Sequence, residues 1–204
     1  MKSIASRWIL ALALVALLLG PATRSWAQVG HQTYAASRFV LVLDGNEVGD
    51  LKNAMGGEAT TAPGGGVVYS EMTLMFGTGM SKPLRDWIAQ GIAGSPSFKS
   101  GAVLMVDAGG HVQSRLAFAN GAITEVTLPA LDGASKDAGY FTMQIAPQTT
   151  TFSIGSTAGT QVQSSLASKQ KAWLCSNFKI EIPGISLTRV NHIDPITFTF
   201  PLPP

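Results

Sequence analysis

The chain has 204 residues, 46% of them hydrophobic and 13% charged, with a formal net charge of +2 and one cysteine, Cys175. That composition is too apolar and too sparsely charged for a solvated disordered tail. A lone cysteine excludes an intramolecular disulfide framework and any site built on paired cysteines.

Residues 1–27 read as an export signal rather than as fold. Lys2 and Arg7 precede or flank a 13-residue apolar run from Trp8 to Gly20, and Ser25 and Ala27 place small residues where a signal peptidase reads, predicting a cut before Gln28. The run falls short of the roughly 20 residues that span a bilayer; retention as an anchor is the alternative. Lys2, Arg7 and Arg24 leave with this segment, so the mature chain holds eleven basic and twelve acidic residues, a net charge of −1. No basic patch for nucleic acid remains, no second apolar run is long enough to span a membrane, and the expected location is secreted or periplasmic.

Residues 28–37 are polar and are expected to be flexible. Residues 38–43 (RFVLVL) predict a strand, Asp44 to Glu47 supply hairpin turn chemistry, and 48–51 predict the return. Residues 55–66 carry five glycines and Pro63, which predicts a mobile loop. Residues 69–76 (YSEMTLMF) return to strand, with Met72, Leu74 and Phe76 on one face.

A helix follows over residues 81–93. Ser81 is placed to cap it, Pro83 sits in its first turn, and Gly94 stops it. Leu84, Trp87, Ile88 and Ile92 form one apolar stripe, so the helix must pack on a sheet. Strands are then predicted over 102–106, 112–118, 122–128 and 140–145, with Ile123, Val126 and Leu128 in the core. The domain ends with a short strand-like piece holding Phe152 and Ile154, and residues 155–170, rich in Ser, Thr, Gly and Gln, read as a polar linker or arm.

Residues 171–204 echo the start of the domain. At an offset of 139, Phe39, Leu41, Leu43, Gly45, Val48 and Leu51 match Phe178, Ile180, Ile182, Gly184, Leu187 and Val190. This predicts a second hairpin over 177–190, followed by a closing strand over 196–200 (ITFTF) and prolines that end pairing. The fold class is mainly β with one packed helix, a sandwich or barrel extended by that C-terminal hairpin.

Motifs that carry chemistry are missing. His31, His111 and His192 have no zinc spacing, and neither HExxH nor a CxxC pair joins them. Residues 77–82 (GTGMSK) depart from a phosphate loop, because two residues separate Gly79 from Lys82. No GxSxG elbow is present. Glu125, Asp132 and Asp137 bracket the loop at 129–139, where solvated acids are the simplest reading beside a carboxylate pair or a Ca²⁺ site. Cys175, in an apolar setting, reads as a buried thiol. No catalytic, cofactor or metal residue is therefore expected.

The segments 69–82 (YSEMTLMFGTGMSK), 86–88 (DWI), 118–126 (FANGAITEV), 129–137 (PALDGASKD) and 173–190 (WLCSNFKIEIPGISLTRV) resemble bacterial phage-tail-like proteins related to the tail tube protein of contractile phages. The resemblance implies a small β-sandwich or barrel with one helix, forming hexameric rings that stack around a channel, with 55–66 as a long hairpin loop that orders on stacking. It implies a non-enzymatic structural protein, a homo-oligomer, working by self-assembly or by binding a protein or surface partner. The alternative is a monomeric secreted binding module for glycans or surface polymers, for which Trp173 is the one mature tryptophan outside the predicted core.

Overall fold

The computed structural model describes residues 38–155, 161–162, 172–185, 187 and 189–202. The signal reading of 1–27, the flexible segment 28–37 and most of the linker at 155–170 lie outside these residues. Six strands close into an antiparallel barrel: β1 (Arg38–Leu43), β2 (Asn46–Gly56), β5 (Met72–Phe76), β9 (Phe141–Ala146), β7 (Val112–Leu128) and β6 (Lys99–Val106), which returns to β1. Two further strands, β10 (Thr149–Ile154) and β12 (Ile196–Thr199), pair with β7 outside that ring. The predicted mainly β fold with one helix is the fold observed.

Local chemistry accounts for the joints. Asp44 and Gly45 both hold positive φ, 49° and 82°, making the two-residue turn whose twist suits a hairpin, and Leu43 pairs with Asn46 across it. Strand alternation then sends Leu41, Leu43, Val48, Leu51, Met72, Leu74, Phe76, Val103, Phe118, Met143 and Ile145 into one core. A second buried cluster, Val40, Ala102, Leu104, Val106 and Val112, occupies the opposite face of β1, β6 and β7, and Val162 packs against it. Arg38 donates to the Val162 carbonyl at 2.5 Å, and the Val162 amide donates to Gly110. The described part of the expected linker is thus docked on the sheet.

The helix α1 (Lys82–Ile92) begins after Ser81, as the capping pattern predicts, but the cap works differently. The Ser81 hydroxyl makes no capping bond and is buried without a partner, while its backbone amide donates to the Val48 carbonyl at 2.9 Å. The connector is therefore tied to β2 by its main chain. Leu84 and Trp87 enter the barrel core, Ile88 packs partly against it, and the Trp87 indole N–H donates to the Ser97 carbonyl at 2.8 Å. Ile92 is 53% exposed, contrary to the four-residue stripe, because Phe200 from the chain end lies against Gly91 and takes the last core position beside the helix. Leu128 is likewise only half-buried, since β7 leaves the core there to pair with Ile196.

Three other expectations change. Residues 112–118 and 122–128 form one 17-residue strand, continuous through Asn120 and Gly121. The expected mobile loop is a hairpin, β3 (Ala59–Thr61) paired with β4 (Val67–Tyr69), and Gly64, Gly65 and Gly66 hold φ of 105°, 81° and 130° in its turn. Those glycines serve a backbone path that L side chains avoid. At 177–190 the glycine turn forms, with Ile182 bridged to Ile185, but among the described residues no ladder extends from it. Among the described residues, no strand stands beside it as β6 stands beside β1 in the first copy. The closing strand does form: β12 pairs with β7, and the Phe200 amide donates to the Thr124 carbonyl.

Candidate interaction surface

Of the polar residues that sequence chemistry singles out, the described ones meet in local pairs rather than in one cluster, His192 with Asp132 among them. His111 sits in the β6–β7 turn, 3.4 Å from Asp107. The His111 amide and the Gln113 side chain also donate to the Asp107 carboxylate, and these bonds, the His111 amide foremost, hold its pKa below the ordinary value. His192 lies in β11 (His192–Ile193), which pairs with β8 (Leu131–Asp132), and its ring is 3.7 Å from Asp132 and 3.3 Å from Asp194. His31 lies outside the described residues.

The carboxylates around 129–139 have local partners. Glu125 accepts from Gln144 on β9 and from Thr127 on β7, Asp132 accepts from the Ala134 amide, and Asp137 accepts from Ser135. Among the described residues no group of three or more His, Cys, Asp or Glu is placed to hold a metal ion. Lys82, at the end of the glycine connector, pairs with Asp86 one helical turn on at 2.6 Å. Cys175 is buried and its amide donates to the Asp137 carbonyl.

The feature that sequence chemistry missed is apolar and exposed. Among the described residues β10 is an edge strand, of sequence TTTFSI, with Phe152 54% and Ile154 83% exposed. Nearby on the β3–β4 hairpin, Val67 is 63% exposed and Val68 48%. The hairpin is pinned at its base: the Gly57 and Glu58 amides donate to the Ser70 hydroxyl, which donates to the Glu58 carboxylate at 2.6 Å. That hydroxyl, with the Glu58 amide, lowers the Glu58 pKa. The Thr150 hydroxyl donates to the Gly57 carbonyl at 2.6 Å, joining the hairpin base to β10. The available signal was an uncharged β-prone run with no lysine or proline to guard it.

In fold, the chain is similar to tube and tube-cap proteins of contractile injection systems. The anti-feeding prophage tube-terminating cap shares 17% identity at a TM-score of 0.45, over 60% of this chain and 90% of that one. A chain of the sheath–tube complex of the extracellular contractile injection system PVC shares 15% at 0.46, over 63% and 95%. Hcp1 from Flavobacterium johnsoniae shares 15% at 0.43, over 58% and 97%. No family model matches the sequence, and no curated protein does. These likenesses concern the chain trace alone.

Proposed function

We propose that the protein is a non-enzymatic structural subunit that self-associates through β10 and the neighbouring β3–β4 hairpin. One observation carries this reading: β10 is an edge strand with no charge and no proline, displaying Phe152 and Ile154 to solvent. Soluble proteins normally guard such edges, because unpaired N–H and C=O groups beside apolar side chains recruit another chain. The local pairing of the titratable groups described above supports a structural role over a catalytic one.

Light scattering across concentration, with negative-stain imaging, tests it. The unmodified protein is expected to form rings or longer assemblies, and Ile154→Lys with Phe152→Glu to shift the mass to that of a single chain. The melting temperature should barely change, since both side chains are largely exposed. A strict monomer at high concentration overturns the reading.

The same proposal includes export, supported by the charge and apolar pattern of residues 1–27. N-terminal sequencing of the protein recovered outside the cytoplasm should begin at Gln28; an intact Met1 there would reject cleavage.

A further inference from the structure

On a different set of residues from the β10 edge, a groove of about 250 Å³ opens between β2, the connector into α1, the start of β9 and the C-terminal arm. Its walls include Trp173, Tyr140, Lys52, Asp50, Thr78 and Gly77. We propose that this groove binds a single pyranose unit of a saccharide.

The aromatic wall is anchored on the core. Trp173 stacks on Phe141 at 5.7 Å and 13°, and Phe141 on the core ring of Phe76 at 5.9 Å and 18°. The Trp173 indole N–H donates to the Asn177 carbonyl at 2.9 Å, and the Gly139 amide donates to the Trp173 carbonyl at 2.7 Å. Gly139 allows that closeness, since a Cβ there would lie 2.5 Å from the indole. A ring anchored on the core costs little entropy to present, which favours binding by stacking.

Tyr140 supplies a second ring, with the Lys52 ammonium 5.9 Å from its centroid. The Thr78 hydroxyl adds a polar group at the opening, while Asp50 lies in the wall with its buried Oδ1 3.9 Å from Arg38. A pyranose combines an apolar C–H face, which rests on aromatic rings, with a rim of hydroxyls that exchange hydrogen bonds with carboxylate, ammonium and hydroxyl. The walls hold both kinds of group. The volume falls below the roughly 300–1,000 Å³ of sites that enclose drug-sized ligands, which limits the occupant to about one ring. Lys52 favours an acidic sugar over a neutral one.

The test uses the full chain and the tryptophan indole N–H signals in NMR, with the Trp173 signal assigned from Trp173→Phe. Cellotetraose, tetraacetylchitotetraose and tetragalacturonate are each titrated to about 10 mM, high enough to reveal millimolar affinity. At least one probe should move the Trp173 signal and leave that of Trp87, which is core-bound to Ser97, in place. A Cβ on Gly77 meets no atom within 4 Å, so Gly77→Gln fills the groove without a clash and should weaken binding at least about tenfold at unchanged melting temperature. Tetragalacturonate binding should weaken in Lys52→Ala as well. The proposal is overturned if none of the three probes moves the Trp173 signal, or if Gly77→Gln responds as the unmodified protein does. Loss of assembly on altering β10 leaves this outcome unaffected, so the two proposals fail separately.

Discussion

Trp87→Ala is expected to lower the free energy of unfolding by about 3 to 5 kcal/mol, the range found when a large aromatic is cut from a packed core. Trp87 is 1% exposed and, with Leu84, is the main contribution of α1 to the barrel core. The substitution also strips the Ser97 carbonyl of its indole donor, leaving a polar atom to find water or go unpaired. Trp87→Phe isolates that second effect, retaining most of the ring volume while losing the N–H, and should cost less than half as much. Chemical denaturation read by far-ultraviolet circular dichroism measures both. A midpoint for Trp87→Ala equal to that of the unmodified protein would show that the helix is not held by this side chain.

Gly56→Ala should be nearly as damaging, at about 2 to 5 kcal/mol, combining about 1 to 2 for a left-handed backbone with about 1 to 3 for overpacking. Gly56 ends β2 at φ 86°, where the chain leaves the barrel for the β3–β4 hairpin, and a Cβ there would lie 1.9 Å from the Glu71 carbonyl oxygen. Gly45 provides the control. Its φ is 82°, but a Cβ on it meets nothing within 4 Å. Gly45→Ala should therefore show the backbone cost alone, and equal losses at the two positions would mean that the chain entering β5 yields easily at Glu71.

Much of this architecture was legible because side-chain period and turn chemistry are local. Asp44-Gly45 marked a hairpin, the alternation of Met72, Leu74 and Phe76 marked a buried face, and Pro83 and Gly94 bracketed α1. What escaped depended on distant partners. Ile92 fits the helical stripe, yet Phe200, more than a hundred residues later, occupies the place beside it. The repeat at 177–190 matches the first hairpin in pattern, but pattern supplies no neighbouring strand, and among the described residues only its turn is paired. The glycines at 64–66 form the turn of the β3–β4 hairpin, whose strands composition alone did not mark.

The candidate surfaces were less legible for the same reason. Phe152 and Ile154 were visible as strand-like residues, but their exposure follows from where β10 sits on β7. Trp173 stood out as the spare tryptophan; that Tyr140, Lys52 and Asp50 join it required β2, β9 and the C-terminal arm to meet.

The long strand β7 governs when the molecule can become itself. It borders β6, which precedes it in the chain, and β9, β10 and β12, which all follow it. A chain emerging N-terminus first can assemble β2, β1, β6 and the first part of β7 as an open sheet, but the ring cannot close until Ala146 has appeared. The strand Ile196–Thr199 follows about fifty residues after Ala146. Pairings this far apart in sequence form slowly, because loop closure must come before any contact rewards it. Until β9 has emerged, the chain is an unclosed sheet and still threadable, the state in which a polypeptide passes most readily through a narrow pore.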